Sequence, residues 1–204
     1  MMTYFDVFSL PPKLAIDTVA LEKQFYTLSR KLHPDRFAGR PPAEQEAALE
    51  RSSMLNDAYR TLKDPILRTQ YLLKLEGVEL EEQSKAATEA ARASGISKKQ
   101  IVPPELLEEV FELNMQLQEM RAAKQMGEDE PELRRDLMTA KDAFDAKMVE
   151  TQTELDGLWS AWDAGVDAGD EAVKSRAKDA MVELLNKRSY LRNLVRDVNE
   201  ALGL

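Results

Sequence analysis

Leu21, Phe25, Leu28 and Leu32 recur at steps of four, three and four, the spacing that lines one face of an α-helix. With Asp17 or Thr18 as N-cap, the pattern predicts a helix over about 18–32. Pro34 ends it, because proline disfavours a helical conformation in the residue before it and brings no amide to the ladder. Gly39, Pro41 and Pro42 then mark a loop, and Pro42 suits the first turn of a second helix over about 42–62. Leu55, Ala58, Tyr59 and Leu62 face the same way on that helix, so the two are expected to pack antiparallel. Asp64-Pro65 restarts the chain into a short apolar helix through Ile66, Leu67, Leu72, Leu73 and Leu75, with Gly77 as a left-handed cap. A short helix over Thr3 to Ser9 makes four within the first 75 residues.

Residues 77–102 are rich in Ala, Ser, Glu and Lys with few large apolar side chains. They predict a connector with partial helical character. Pro103-Pro104 opens a helix to about 124, and Glu128 to Pro131 is a turn. Leu133, Leu137, Ala140, Phe144, Thr151, Leu155, Leu158 and Trp162 trace a long second helix whose end Gly165 and Gly169 bracket. Met181, Leu184, Leu191, Val195, Val198 and Leu202 mark a last helix over about 171–201, completing a three-helix bundle. No period-two alternation and no internal repeat is present, so the fold class is all-α: residues 1–76, a connector over 77–102, and a bundle over 103–204.

The helix after Pro104 carries two apolar stripes instead of one. Leu106, Val110, Leu113, Leu117 and Met120 fall together and form the expected core stripe. Leu107, Phe111 and Met115 lie about 140° away, too far round for a narrow bundle seam. Flanking Glu108, Glu112 and Glu119 give this second stripe an acidic rim, the pattern of a protein-binding patch with an apolar centre. The alternative is a wide bundle contact that buries both stripes. Trp159 and Trp162, one turn apart, are expected in the core, and the nine methionines as gap-fillers.

Charge separates the halves further. Residues 1–75 hold 11 Lys+Arg against 9 Asp+Glu, or +2, and the remaining 17 against 28 give −11, which together make the net −9. So acidic a second half repels phosphate backbones, which disfavours nucleic acid and makes a protein the expected partner. With 0 Cys and 1 His, thiolate catalysis, cysteine-ligated metal and the paired Glu-x-x-His motifs of a di-iron bundle are excluded on inventory. No cofactor or metal site is expected, and no Walker-type GxxxxGK[ST] loop occurs. Nothing marks a paired-acid cleft above the general acidity, so an enzyme is not expected. The apolar runs are too short to cross a membrane, and MMTYFDVFSLPPK lacks a basic n-region and an apolar h-region, which points to a cytoplasmic protein.

His33-Pro34-Asp35 remains. Read plainly, it is a helix-terminating turn whose Asp35 caps the next segment. Its place between two antiparallel helices, followed by a Gly/Pro loop, also presents it where another protein can reach it. Here the chain resembles a J-domain, through TYFDVFSLP at the start, YTLSRKLHPDRF around the turn and LNDAYRTLKDPILRTQYLLKLEG at the end. Common J-domains end in a tyrosine-aspartate pair, whereas Tyr71-Leu72-Leu73 looks like the HscB family, which assists iron–sulfur scaffold proteins.

The resemblance implies a four-helix J-domain with an antiparallel hairpin core and an L-shaped arrangement with the C-terminal bundle. It implies docking onto a DnaK/HscA-type chaperone and stimulation of that partner's ATPase. Asp35 would offer its carboxylate to an arginine of the chaperone, while Lys23, Arg30, Lys31 and Arg36 offer positive charge to an acidic surface. A solvated helix face is the competing reading for each of these basic residues. The resemblance further implies that an iron–sulfur cluster scaffold of the IscU type binds the first bundle helix through Leu107, Phe111 and Glu112, with Tyr190 of the last helix joining the same surface. Asn114 and Met115 stand where the family usually has more charge, and the connector is longer than in compact bacterial relatives. The cysteine pairs of some eukaryotic relatives are absent, as in the bacterial form. The rival readings are a J-protein for another client and a helical adaptor in which the tripeptide is incidental.

Overall fold

A computed structural model of the chain describes residues 2–78, 80, 102–128 and 130–204. Most of the expected connector therefore lies outside the described residues. Within them the secondary structure is helical: α1 (Tyr4–Val7), α2 (Thr18–Leu32), a 3₁₀ turn (Pro34–Phe37), α3 (Pro42–Lys63), α4 (Pro65–Leu75), a second 3₁₀ turn (Pro104–Leu106), α5 (Leu107–Met126), α6 (Pro131–Ala168) and α7 (Glu171–Leu202).

Short polar side chains start these helices by satisfying the amides that the first turn leaves open. Thr3 and Asp6 form a reciprocal capping box at α1, with Thr3 N–H donating to Asp6 Oδ2 at 2.7 Å and Asp6 N–H to Thr3 Oγ1 at 3.2 Å. Asp17 accepts from Val19 and Ala20 N–H at α2, Asp64 from Leu67 N–H at α4, and Asp170 from Ala172 and Val173 N–H at α7. Gly77, Gly127 and Gly169 follow α4, α5 and α6 with φ of 79°, 72° and 65°, the left-handed conformation that closes a helix.

The described chain divides into two compact units. The first holds the residues up to Leu80 together with Leu158–Asp179, the tip of the α6/α7 hairpin. Its centre is α3, which packs on α1, α2 and α4. Phe5, Phe8, Leu14, Leu21, Leu55, Leu62, Leu72 and Leu73 are buried there, and Phe25 of α2 stacks on Tyr59 of α3 with ring centroids 4.1 Å apart. The hairpin tip is bound by specific polar contacts. The Asp163 carboxylate accepts from Leu14 and Ala15 N–H at 2.8 and 2.9 Å, Trp159 Nε1–H donates to Thr69 Oγ1 at 2.9 Å, and Trp162 Nε1–H to the Pro12 carbonyl at 3.3 Å. The Arg68 guanidinium lies over the Trp159 ring, and Lys13 pairs with Asp167 at 2.5 Å.

One expectation changes here. The sequence reading assigned all of 103–204 to the C-terminal bundle, yet residues 158–179 group with the N-terminal unit. The reason is the anchoring just described: Trp162 is 1% exposed against residues far away in sequence. α6 ends at Ala168, between Gly165 and Gly169 as the sequence predicts. A Cβ at Gly165 would come within 2.9 Å of Lys174 Cγ and 3.2 Å of Lys174 N, so this glycine permits close approach of the two hairpin arms.

The second unit contains α5, α6 to Gly157 and α7 from Ala180. Its core joins Leu106, Val110, Leu113, Leu117 and Met120 to Leu137 and Phe144 of α6 and Leu191, Leu194 and Val198 of α7. Each large aliphatic group buried there contributes roughly 1.5–3 kcal/mol of transfer free energy. Lys147–Glu109 at 2.9 Å and Lys187–Glu105 at 3.3 Å tie α6 and α7 to the α5 end of the bundle. The hydrogen bond to its own backbone, with help from Lys187, holds the Glu105 carboxyl below the usual glutamate range against the opposing effect of burial.

Candidate functional site

The site residues singled out from sequence, Tyr190 apart, lie on two exposed surfaces, one on each unit. On the first, α2 ends at Leu32 and His33 leaves the helix with φ −60° and ψ 128°. That extended conformation is what a following proline demands, and Pro34 begins the 3₁₀ turn. His33 caps this turn: Asp35 N–H donates to His33 Nδ1 at 3.4 Å. Asp35 Oδ2 lies 3.5 Å from the same nitrogen. The Asp35 side chain is 88% exposed and that of His33 56%, so the carboxylate stands free of the fold while the backbone beneath it is bonded. Arg36 N–H donates to His33 O at 3.0 Å, and Arg36 Nη1 to the Arg30 carbonyl at 3.4 Å, near the open C-terminal end of α2. Beyond the turn, Gln45 Nε2 of α3 holds the Arg40 carbonyl at 2.8 Å.

Lys23, Arg30, Lys31 and Arg36 are all exposed. At 100° per residue Lys23 and Arg30 share one strip of α2, and Lys31 lies farther round. The same strip carries Val19, 60% exposed, and Tyr26, 56% exposed. These two were not singled out from sequence, though a helical wheel centred on the basic residues instead of the core stripe would have found them. A cationic surface with an apolar centre suits fast, oriented docking on an acidic partner.

The second surface is on α5. The core stripe is buried as expected, with Leu106, Val110, Leu113, Leu117 and Met120 between 1% and 5% exposed. The second stripe is not covered: Leu107, Phe111 and Met115 are 55%, 69% and 52% exposed. Glu108, Glu112 and Glu119 are exposed beside it. The alternative of a wide contact burying both stripes does not describe this unit. Toward its C-terminal end the strip continues to Met126, 74% exposed.

Tyr190 departs from expectation. It is 7% exposed and packs in the α5/α6/α7 core beside Leu191 and Leu194, and burial pushes its phenol above the ordinary tyrosine value, with Asp197 adding to the effect. The position of an aromatic on a helix is legible from sequence, but the rotation of that helix against its neighbours is not. Tyr190 is thus part of the bundle core, not of its exposed surface.

Comparison with known proteins agrees with this geometry. Residues 3–71 match the DnaJ domain family model, a span that starts at the Thr3 cap of α1 and takes in the His33-Pro34-Asp35 turn. The structure of the chaperone HscB from Vibrio cholerae is similar over nearly the whole chain, with a TM-score of 0.60 and 25% identity, covering 98% of this chain and 96% of that one. The chain thus carries a DnaJ domain and is similar along nearly its whole length to the HscB co-chaperone structures. The crystal structure of human co-chaperone protein HscB shares the fold, with a TM-score of 0.58 and 24% identity over 99% of this chain and 83% of that one. The full-length match means that the α5–α7 bundle, and not the J-domain alone, shares that fold. As a J-domain, the first unit has an Hsp70-type chaperone as its partner. Among the described residues no helix is long and apolar enough to cross a membrane.

Proposed function

We propose that this chain is a non-catalytic delivery adaptor for iron–sulfur cluster assembly. Its J-domain docks on a DnaK/HscA-type chaperone through His33, Pro34 and Asp35, aided by Lys23, Arg30, Lys31 and Arg36, and stimulates that chaperone's ATPase. Its α5 stripe, Leu107, Phe111 and Met115 with Glu108, Glu112 and Glu119, binds an IscU-type scaffold protein and presents it to the chaperone. The observation that carries this reading is one chain with two separate exposed surfaces of different chemistry. One is a carboxylate 88% exposed on a hydrogen-bonded turn, and the other an apolar strip that its own bundle leaves uncovered.

The division of labour follows from the physics of each surface. An exposed carboxylate on a preformed turn can meet an arginine in bidentate geometry with little ordering cost. An apolar centre with an acidic rim gains affinity from desolvation and selects partners by charge at its edge. ATP hydrolysis belongs to the chaperone. The test is an ATPase assay with chaperone, adding this chain and the scaffold separately and together. The expected result is stimulation by the chain alone and greater stimulation with both. Stimulation by the chain that the scaffold never enhances, with no scaffold captured in a pull-down, would assign the stripe to a different client.

A further inference from the structure

The exposed surface of α5 reads as adjoining strips, because each residue advances the helix by about 100°. Leu107, Phe111 and Met115 form the first strip, and Glu108, Glu112 and Glu119 border it on one side. Past Glu112 the surface drops into a groove of about 380 Å³ between α5 and α6. Leu113, Ala140, Ala143 and Phe144 give this groove an apolar lining, and Glu112 and Asp136 bring carboxylates to it. Glu112 thus belongs both to the acidic rim of the stripe and to the groove. A third acid of the lining, Glu109, is engaged by Lys147 at 2.9 Å. Glu112 and Asp136 are exposed and have no cationic partner among the described residues.

An apolar slot with uncompensated carboxylates suits a side chain with an aliphatic stem and a cationic head. Continuity with the stripe says whose side chain that is. A protein seated on Leu107, Phe111 and Met115 and extending over Glu112 reaches the groove next. We propose that the scaffold protein places one lysine or arginine side chain here, its stem along Ala140, Ala143 and Phe144 and its charge held by Glu112 and Asp136. This rests on the reading of the α5 stripe as the scaffold-binding surface. It adds to that surface a specificity-determining contact on a second helix, outside the apolar strip. The groove would favour a scaffold with a cation at that place and reject one with an acid there.

The experiment measures the affinity of the full chain for purified IscU-type scaffold by calorimetry, for the unaltered protein and for Asp136→Lys, Asp136→Asn, Ala143→Phe and Phe111→Ala. Asp136 and Ala143 are exposed, and circular dichroism with thermal melting checks that each variant folds. Asp136→Lys is expected to weaken binding about tenfold or more, the scale of losing a charge pair and adding a like charge. Ala143→Phe, which fills the slot, is expected to weaken it by a similar factor. Asp136→Asn keeps the shape and should weaken binding less while flattening its dependence on salt. Full affinity in all three groove variants alongside weakened binding in Phe111→Ala overturns the groove contact and leaves the stripe assignment standing. Full affinity in Phe111→Ala as well overturns both.

Discussion

The His33-Pro34-Asp35 turn and the α5 stripe differ in what makes them recognisable to a partner. The turn is a matter of a few atoms. One extended residue, one 3₁₀ turn and a bond from Asp35 N–H to His33 Nδ1 aim a single carboxylate outward. The stripe is a matter of area, three apolar side chains on one face of a 20-residue helix whose opposite face is locked in a core. A device built from a few atoms should fail abruptly when one group changes, whereas one built from area should fail in proportion to what is removed. The same contrast holds against salt, because exposed charges are screened with a Debye length of about 8 Å at physiological ionic strength and apolar burial is not.

The largest effect should come from the turn. Replacing His33→Gln and Asp35→Asn together removes the arginine acceptor and alters the turn cap, and is expected to abolish ATPase stimulation with helicity and scaffold binding unchanged. Persistence of stimulation in that variant would sink the docking assignment. The two faces of α5 can be set against each other next. Leu113→Ala, at a site 1% exposed, should cost about 2–5 kcal/mol of stability in a denaturant titration. Phe111→Ala, at a site 69% exposed, should leave stability within about 0.5 kcal/mol and reduce scaffold affinity. Equal destabilisation by both would mean that the stripe is structural after all.

Two smaller effects bear on how the first unit is held. Asp163→Ala leaves the Leu14 and Ala15 amides without their acceptor and should cost about 1–3 kcal/mol, with faster hydrogen exchange at those two amides. Undisturbed exchange there would deny the hairpin tip its anchoring role. The smallest effect concerns Glu22. Hydrogen bonds from Tyr59, then Lys63, with the Lys63 charge beside it, hold its carboxyl below the ordinary glutamate value. A depressed folded value means a contribution present above the unfolded value and lost as pH falls through the folded one. Glu22→Gln should therefore lower stability a little near neutral pH, with the difference shrinking as pH falls through the folded value, as melting from pH 3 to 7 would show.

Much of this molecule was legible in the chain. The bounds of α2, α3 and α4 follow from Asp17, Pro34, Pro42 and Asp64, because caps and prolines act on their own neighbours. The turn and both stripes of α5 were legible for the same reason: they need only local sequence and a fixed rotation per residue. Tyr190 and the tip of the α6/α7 hairpin were not. Whether Tyr190 faces solvent depends on the rotation of α7 within the bundle, and a tyrosine is equally at home in a core or at an edge.

By itself, then, the sequence determined where helices begin and end, which residues share a face, and that the one histidine stands at a proline-forced corner between two helices. Tertiary structure alone decided that Leu107, Phe111 and Met115 stay uncovered while Tyr190 does not, and that Asp163 and Trp162 bind a loop some 150 residues earlier. The physical reason is range. Capping, proline geometry and helical periodicity act over four or five residues, whereas burial is settled by which distant surfaces fit together.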